Sequence, residues 1–480
     1  MTLLTKSKYL LGQQCLRLLW HSNKKLIPKP SMADQHRFNQ GSDFEKYVKL
    51  LFDQGIELGN LDYQDNLKKT EELVQNKKTI FEAGFQLDEL FCRADILEPI
   101  ENGWNLYEIK STSQAKPHHY IDLAFQKYVL EKAGLNIINC YVLHLNKEYV
   151  KQGEINPKEL VSKTDVTKKV NSIDDIAENS KLYLRVIKQE ETPDINISKN
   201  CNKPYPCSLK KDCWGTLADS NVTHLTDWRT YWKLFQNGII DMKDIPADIK
   251  LKPKDQRIKE AGTEQKIIVI KDEIKKFFDK LQFPLYHFDF ETFDTAVPIY
   301  DQSKPYQKIP FQYSLHIQHQ EGKLEHFEYL SDGMEDPRIK LLEQLKDEIK
   351  GEGSVVVFNQ SFEKGVLTKL AEDFPENKEW IDNVLGRIVD LAEPFQNFYY
   401  YCPSQKGSYS IKKVMPAITG KGYDDLDISN GADASALYFQ SHISGDSEHK
   451  EVIRVNLIKY CGLDTEGMIW IVDELNKLIE

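Results

Sequence analysis

Three cysteines, Cys201, Cys207 and Cys213, lie close together near the middle of the chain. The prolines and lysines between them are typical of a loop folded around a bound group, not of a helix or strand. A metal centre usually takes four ligands. The next cysteine downstream, Cys402, is far along the chain, whereas Cys15 lies near its start. We therefore expect Cys15 to be the fourth ligand of a centre that closes one domain, with a second domain after it.

The composition is that of an ordinary globular protein with more than one domain. A length of 480 residues, 40% hydrophobic and 11% aromatic, is enough for two or more packed cores. Eight cysteines are too few for a disulfide scaffold, so the clustered thiols are interpreted first as metal ligands. No apolar run approaches the roughly 18 to 20 residues that cross a bilayer, and polar residues interrupt the N-terminal stretch. We predict a cytoplasmic protein with no membrane partner.

The charge restricts the possible nucleic-acid partners. A formal net charge of −11 argues against a protein that coats nucleic acid. It does not exclude a nuclease, because carboxylates that hold metal ions add negative charge, while local basic patches meet the substrate phosphates. Nucleic acid therefore stays a candidate partner.

Helical patterns occupy the start of the chain. Apolar residues between Leu3 and Trp20 recur at helical spacing and place Cys15 near the apolar face, where packing in a core is its alternative role. A second amphipathic helix is predicted to begin at Gly41 and to carry Glu45 one turn later. The later stretch LYLRVIKQ is a strand candidate.

A hairpin is predicted around the turn signal Asn102-Gly103. A two-residue turn there would place Asp95 opposite Lys110, with Glu108 one diagonal step away on the same face. A carboxylate in so apolar a strand is costly unless it is paired or holds a metal. The chemistry indicated is metal-assisted hydrolysis, in which the acids hold a divalent cation and the lysine positions the attacking water or stabilises charge. The alternative is a cross-strand salt bridge between Asp95 and Lys110.

These residues carry a resemblance to a known superfamily. RADIL followed by YEIKS resembles the Asp and Glu-x-Lys motifs of the PD-(D/E)XK nucleases. Gly41-x-x-x-Glu45 resembles the first motif of that superfamily, and Gln126 resembles its glutamine, although Tyr128 follows after two residues instead of four. One early cysteine and a late triplet are similar to RecB-like exonucleases with a 4Fe-4S cluster, including CRISPR-associated ones. The triplet spacing differs from theirs, and zinc stays open as the alternative to iron-sulfur.

A second pair of acids opens the C-terminal part. LYHFDFETFD predicts a strand in which Asp289 and Glu291 point to the same face. Two carboxylates side by side among phenylalanines repel each other and lose hydration, and a bound cation is the usual remedy. Further on, Glu363 follows a predicted strand, and a long helix places Tyr460 and Asp464 on one face. Each pair alone could be a cap or an ion pair, but the three in order indicate a site.

This second set resembles the DEDD exonucleases of the ribonuclease H-like fold. The motifs that carry the resemblance are, in chain order, Asp289-x-Glu291, Asn359-x-x-Phe362-Glu363 and Tyr460-x-x-x-Asp464. The resemblance implies two cations held by four acids, with the tyrosine orienting a water for removal of nucleotides from a 3′ end. Glu363 stands where the family has Asp, and Asp390 is a candidate replacement carboxylate. Lys412 and Lys413 are candidates for contact with backbone phosphate.

Together the resemblances imply an α/β protein. Residues 1–220 are expected to form a PD-(D/E)XK restriction-endonuclease-like domain. Residues 221–281 would form a helical connector with a weak helix-hairpin-helix pattern, and residues 282–480 a ribonuclease H-like mixed sheet with helices. The implied activity is a Mg²⁺- or Mn²⁺-dependent nuclease that degrades single-stranded or end-frayed DNA in repair or defence. An RNA 3′ exonuclease and a non-catalytic nucleic-acid-binding scaffold stay open as alternatives.

The implied roles fall into three groups. The first site would use Glu45, Asp95 and Glu108 as metal ligands, with Lys110 and Gln126 shaping the attack. The second would use Asp289, Glu291, Glu363 and Asp464 as metal ligands and Tyr460 for the water. The cluster would be held by Cys15, Cys201, Cys207 and Cys213.

Overall fold

The chain divides into two compact units. The structure, a computed structural model, describes residues 3–445 and 448–480. The first unit runs to Thr216 and includes Thr295–Gln307, and the second consists of Leu217–Asp294 with Lys308–Glu480. Each unit contains a mixed sheet with helices, so the α/β class expected from the sequence is confirmed. The segment expected to be a connector, residues 221–281, belongs to the second unit. No helix within the described residues is both long enough and apolar enough to cross a membrane.

A mixed sheet forms the centre of the first unit. Its strands are β1 (Leu4–Thr5), β2 (Ile56–Glu57), β3 (Ile80–Leu87), β4 (Leu90–Ile100), β5 (Gly103–Lys110), β6 (Ile137–Leu145) and β7 (Val161–Asp165). They are ordered β2-β3-β4-β5-β6-β7, and β1 also pairs with β4. The helices are α1 (Lys6–Gln14), α2 (Leu16–Asn23), α3 (Met32–Lys49), α4 (Tyr63–Gln75), α5 (Pro117–Lys132), α6 (Pro157–Leu160), α7 (Thr167–Asn171), α8 (Ile176–Lys188) and α9 (Lys210–Trp214). Because β5 and β6 are parallel, the chain crosses between them through α5.

Three helix and strand predictions for this unit are wrong. The single helix expected between Leu3 and Trp20 is divided at Cys15, whose backbone is extended (φ −165°, ψ 128°) and separates α1 from α2. Gly41 lies inside α3, which begins earlier because Ser31 caps it. The strand candidate LYLRVIKQ lies in α8, where its buried residues Tyr183, Val186 and Ile187 recur at helical spacing.

The predicted hairpin forms with a different register. Ile100 pairs with Gly103, and Ile96 pairs with Tyr107. Continuing this register by one residue places Glu108, not Lys110, beside Asp95, so the predicted pairing was wrong by two residues. All three side chains still share one face, since a shift of two preserves the alternation of the strand.

Gly103 explains the register. It belongs to β5 and not to the turn, and a Cβ atom there would lie 2.3 Å from the carbonyl oxygen of Asn136. The neighbouring Trp104 donates its N–H to that same carbonyl at 2.9 Å. The glycine therefore lets β5 approach the segment before β6, a requirement that the turn signal alone could not reveal.

The second unit is built around β9 (Leu285–Phe293). The other strands are β8 (Ile268–Val269), β10 (Ile309–Gln318), β11 (Leu324–Leu330), β12 (Val355–Val357), β13 (Ile388–Asp390) and β14 (Tyr400–Tyr401). The main sheet has the order β11-β10-β9-β12-β13, antiparallel from β11 to β9 and parallel from β9 to β13. The helices are α10 (Trp228–Gln236), α11 (Pro253–Glu264), α12 (Lys271–Phe278), α13 (Pro337–Glu348), α14 (Ser361–Asp373), α15 (Lys378–Gly386), α16 (Glu393–Gln396), α17 (Ile411–Thr419), α18 (Gly431–Tyr438) and α19 (Lys450–Ile479).

Alternation along β9 gives the sheet an apolar face and a polar face. Phe288 and Phe290 belong to the apolar core that also includes side chains of α13 and α14. On the opposite face, α19 is held by polar contacts: the hydroxyl of Thr465 lies 2.7 Å from that of Ser314 and 2.8 Å from Nδ1 of His316. The acids of β9 therefore face α19.

Candidate active sites

Three carboxylates meet on the polar face of the second sheet. Asp289 and Glu291 project from β9, and Asp464 projects from α19. One carboxylate oxygen from each lies within 4.8 Å of the others. Glu291 is 7% exposed and Asp464 is 5% exposed. We call Asp289, Glu291, Asp464 and the adjacent Tyr460 the second-unit site.

The three acids lie close together with little access to water, so their negative charges repel one another and are poorly hydrated. Burial, with the charge of Asp464 next, raises the pKa of Glu291 to about 8 and that of Asp289 well above its ordinary value. Burial also raises the pKa of Asp464 to about 6. Three such groups either keep protons at neutral pH or ionise beside an external cation that balances their charge.

A lysine and two tyrosines complete the second-unit site. Tyr423 donates its hydroxyl proton to Oδ1 of Asp464. Lys412, from α17, donates to the hydroxyl oxygen of Tyr460 at 2.7 Å and to the carbonyl of Ser429 at 2.5 Å. Tyr460 in turn forms a side-chain hydrogen bond with Asp464. Tyr423 was missed in the sequence, because no spacing connects it to α19. Lys412 was noted there only as a contact for backbone phosphate.

Glu363 lies near these acids but is not one of the three whose oxygens lie within 4.8 Å of one another. It sits in the first turn of α14 and is 2% exposed, and burial raises its pKa to about 8. Its charge contributes to the raised pKa values of Asp289 and Glu291. In the part of the chain that the structure describes, Oε2 of Glu363 has no hydrogen-bond partner. A buried carboxylate oxygen without a donor is a ready ligand for a second cation.

Asp390, the candidate replacement carboxylate, forms hydrogen bonds with backbone N–H groups. Its carboxylate accepts the backbone N–H of Asn359 at 2.9 Å and that of Gln360 at 3.2 Å. It also accepts the N–H of Ala392 at 3.0 Å. Asp390 therefore positions the start of α14, and through it Glu363.

The donor set of the second-unit site fits a hard divalent cation. Carboxylate oxygens are the ligands that Mg²⁺ and Mn²⁺ prefer. The raised pKa values of Asp289, Glu291 and Asp464 reflect a shortage of positive charge that such an ion would supply. The unpartnered oxygen of Glu363 adds a possible fourth acid.

The acids predicted in the first unit also meet, but around lysines. Lys110 pairs with Glu108 and, at 3.1 Å, with Asp122 of α5. Gln126, one turn after Asp122, donates to Oε2 of Glu108 at 2.6 Å and to Asp122 at 3.0 Å. Asp95 accepts the backbone N–H of Ile109 at 2.8 Å. The fold therefore brings together Asp95, Glu108, Lys110 and Gln126, and adds Asp122.

A second lysine reaches the same acids from α1. Nζ of Lys6 lies 2.9 Å from Oδ1 of Asp95 and 3.3 Å from both carboxylate oxygens of Glu108. Burial alone would lower the pKa of Lys6, but the charges of Asp95, Glu108 and Asp122 outweigh it and raise the pKa well above its ordinary value. Lys6 was missed in the sequence, because nothing local in KSKYLLGQQ connects it to a hairpin far downstream. We call Lys6, Asp95, Glu108, Lys110, Asp122 and Gln126 the first-unit site.

Glu45 does not join this network. It pairs with Lys49 at 2.5 Å, and Lys49 also pairs with Glu57. Among the described residues, no hydrogen bond or ion pair connects Glu45 to Asp95 or Glu108. Glu82 lies near enough to Asp95 and Glu45 to feel both charges: burial raises its pKa to about 7, and the charges of Asp95 and Glu45 add to this rise.

The four cysteines proposed as ligands approach one another. Burial raises the pKa of the Cys207 thiol, and the charges of Cys15, Cys201 and Cys213 raise it further. The side chain of Gln14 donates to the carbonyls of Asn200 and Tyr205 at 3.0 and 2.9 Å, which attaches the end of α1 to the cysteine loop. Over residues 3–445 and 448–480, no three of the four sulfurs lie within 4.8 Å of one another.

Sequence comparisons match parts of this chain to uncharacterized proteins. Residues 286–410 match a family described as a domain of unknown function, DUF2779. The match contains Asp289, Glu291 and Glu363, and it ends before Lys412 and Asp464. The uncharacterized protein MG366 of Mycoplasma genitalium is 29% identical over 242 residues, covering 46% of this chain and 36% of that protein.

Two further relatives show the same pattern of coverage. The MG366 homolog of Mycoplasma pneumoniae is 28% identical over 230 residues, 44% of this chain and 34% of that protein. The uncharacterized protein UU173 of Ureaplasma parvum is 28% identical over 228 residues, 42% of this chain and 33% of that protein. The chain therefore matches about a third of the length of these curated relatives.

Proposed function

We propose that this protein is a divalent-metal-dependent nuclease whose second-unit site hydrolyses phosphodiester bonds. The observation that carries the proposal is the meeting of three carboxylates, one oxygen from each within 4.8 Å, beside the hydroxyl of Tyr460. Mg²⁺ or Mn²⁺ held there would lower the pKa of a water and stabilise negative charge at the phosphorus. The mixed sheet around β9 supports the ribonuclease H-like fold that the motifs imply.

The chain's own residues have separable roles in this reaction. Asp289, Glu291 and Asp464 supply the ligand oxygens, with Glu363 available as a further acid. Because Lys412 donates to the oxygen of Tyr460, the proton of that hydroxyl is directed away from Lys412. Tyr460 can then hold an oxygen atom, from Asp464 or from a water, in a defined orientation.

We propose DNA with single-stranded character, degraded from its 3′ end, as the substrate of this site. The RecB-like motifs of the first unit favour DNA, with RNA ends as the alternative. The first-unit site is proposed as a second nuclease centre, supported by the convergence of Asp95, Glu108, Lys110 and Gln126.

The cysteines are proposed to hold a 4Fe-4S cluster. Tetrahedral zinc, with Zn–S bonds of about 2.3 Å, needs sulfurs about 3.8 Å apart. Cys15, Cys201 and Cys213 lie near enough to Cys207 for their charges to act on its thiol, which supports one shared centre for the four cysteines. A reducing, cytoplasmic compartment suits such thiolates. Anaerobic purification tests the proposal: iron and sulfide with a brown colour are expected, and stoichiometric zinc in a colourless protein would replace it.

A time course with Mn²⁺ tests the activity. Wild type, Asp289→Asn and Asp95→Asn are incubated with 5′-labelled single-stranded DNA and RNA. A ladder of products shortened from the 3′ end is expected with wild type and Asp95→Asn, but not with Asp289→Asn. Unchanged hydrolysis by Asp289→Asn would remove the second-unit site from the reaction. Binding without hydrolysis by wild type would favour the non-catalytic scaffold.

A further inference from the structure

The first-unit site already contains a cation supplied by the chain. Nζ of Lys6 lies between Asp95 and Glu108, within 2.9 to 3.3 Å of three of their four oxygens. This is the space between two carboxylates in which a shared divalent ion would be coordinated. The Lys6 side chain is only 21% exposed, so its charge is held by these acids more than by water.

The other donors leave these two carboxylates fully engaged. Oδ2 of Asp95 accepts the N–H of Ile109 at 2.8 Å. Oε2 of Glu108 accepts from Gln126 at 2.6 Å, and Oε1 accepts from Lys110. Each oxygen therefore has a donor, and two ammonium groups balance the acids. While Lys6 occupies this position, no oxygen of Asp95 or Glu108 is free for a divalent ion.

One buried group is left unsatisfied by this arrangement. Gln126 is fully buried, and its Nε2 is shared between Glu108 and Asp122. Its Oε1 has no hydrogen-bond partner among the described residues. A buried acceptor without a donor is unfavourable, because it has lost its hydrogen bonds to water. The arrangement with Lys6 in place therefore leaves at the site an acceptor that a hydrated cation could satisfy.

The backbone around Lys6 is held in place by contacts that do not involve its side chain. Leu4 and Thr5 pair with Leu90 and Phe91 of β4, and the hydroxyl of Thr5 caps α1. Lys6 follows directly, in the first turn of α1. A lysine carries its charge on a flexible four-carbon stem, so its ammonium can leave the acids without unfolding the helix.

We propose that Lys6 is a built-in competitor of the divalent cation at the first-unit site. The site has two states: Asp95 and Glu108 hold either the Lys6 ammonium or a Mg²⁺- or Mn²⁺-class ion. The inference rests on the proposed role of this site in metal-dependent hydrolysis. Lys6 thereby weakens metal binding at this site, and removing its charge makes metal binding tighter.

Mn²⁺ titration calorimetry on the full chain tests this proposal without any substrate. The second-unit site is first removed by Asp289→Asn with Glu291→Gln. On that background, Lys6→Met should bind Mn²⁺ about tenfold more tightly, equivalent to about 1.4 kcal/mol. Lys8→Met is the matched control: it lies on the same helix, but its ammonium contacts Asn23 and the carbonyl of Leu3. Equal or weaker binding by Lys6→Met, or no Mn²⁺ bound by either variant, would overturn the proposal.

A second measurement uses the native sequence and does not depend on the folding of a variant. Acylation of lysines by a water-soluble ester, read by mass spectrometry, should label Lys6 several-fold more in saturating Mn²⁺ than in chelator, while Lys8 labelling stays constant. Unchanged Lys6 labelling would overturn the proposal. Neither experiment measures hydrolysis. Tighter Mn²⁺ binding in a protein that cuts no nucleic acid would keep the role of Lys6 and remove the nuclease assignment.

Discussion

The two acidic sites solve the same electrostatic problem in opposite ways. In the first-unit site, Asp95 and Glu108 are neutralised by lysines of the same chain. In the second-unit site, Asp289, Glu291 and Asp464 face one another, and their pKa values are raised. The first arrangement is stable by itself, whereas the second stores repulsion that only protons or an external cation can relieve.

This difference indicates which site is prepared for a ligand. Repulsion among buried acids costs stability, and a fold keeps such a cost chiefly where function requires it. The second-unit site is therefore the better candidate for tight metal binding and for the main activity. Before a divalent ion can bind to Asp95 and Glu108, the first-unit site must lose the ion pairs of these acids with Lys6.

The largest expected effect is on hydrolysis by the second-unit site. Asp289→Asn should lower the metal-dependent rate about 100- to 1000-fold, because it removes a charged ligand oxygen where charge develops at the phosphorus. The same substitution should raise the melting temperature of the metal-free protein, since it removes repulsion. Asp347→Asn, the same substitution at an exposed aspartate outside the acid set, serves as the control for general damage. A destabilised Asp289→Asn would contradict the repulsion argument.

The corresponding change in the first unit should have the opposite effect on stability. In Asp95→Asn, the ammonium of Lys6 loses one of its two acidic partners and keeps Glu108. Breaking such a pair should lower the free energy of unfolding by about 3 kcal/mol. Differential scanning calorimetry in chelator measures this change. The double variant Lys6→Met with Asp95→Asn should recover part of the lost stability. If Asp95→Asn melted at a higher temperature than the wild type, the proposed contrast between the two sites would be wrong.

The stability of the metal-free protein should depend on pH through the second-unit site. Glu291 and Glu363 have pKa values of about 8 in the folded chain, against an ordinary 4.5. Between these values the folded state binds more protons than the unfolded state, so stability falls as pH rises through the folded pKa. From pH 5.5 to 8 the loss should be about 3 kcal/mol for each such proton.

Urea unfolding at the two pH values checks this slope. Millimolar Mg²⁺ should reduce the slope, because the ion replaces the protons, and Glu291→Gln in chelator should reduce it as well. A slope that is the same with and without Mg²⁺ would indicate that the acids do not form the metal site.

The smallest effect is expected for the lysine that contacts Tyr460. Lys412→Met should slow hydrolysis about tenfold, the equivalent of one hydrogen bond from a charged group. The neighbouring Lys413 is exposed, so Lys413→Met should leave the rate within twofold, as expected of a surface substitution with a small effect. Equal losses in both variants would point to general phosphate attraction instead of a role at Tyr460.

The residues of the second-unit site could be predicted because their relations are local. Asp289 and Glu291 share a face through the alternation of one strand, and Tyr460 and Asp464 through one turn of one helix. The contact of Tyr423 with Asp464 could not be predicted, since it depends on how the chain returns after α17.

The first unit was harder to predict for the same reason. The hairpin was expected, but its register depends on the approach of Asn136 to Gly103, which no turn signal contains. Glu45 was placed with the acids by its motif, yet in the fold it pairs with Lys49. The division of the N-terminal helix at Cys15 also escaped prediction, because apolar spacing continues through that residue.

By itself, the sequence determined which segments carry acids and on which face of each strand or helix they lie, because these properties depend on neighbours a few residues apart. Only the tertiary structure decided which acids are neutralised and which are left to repel one another. The ammonium of Lys6 reaches Asp95 and Glu108 because β1 pairs with β4, a contact between distant parts of the chain. In the second unit, Lys412 contacts Tyr460, and the three acids lie close together with raised pKa values.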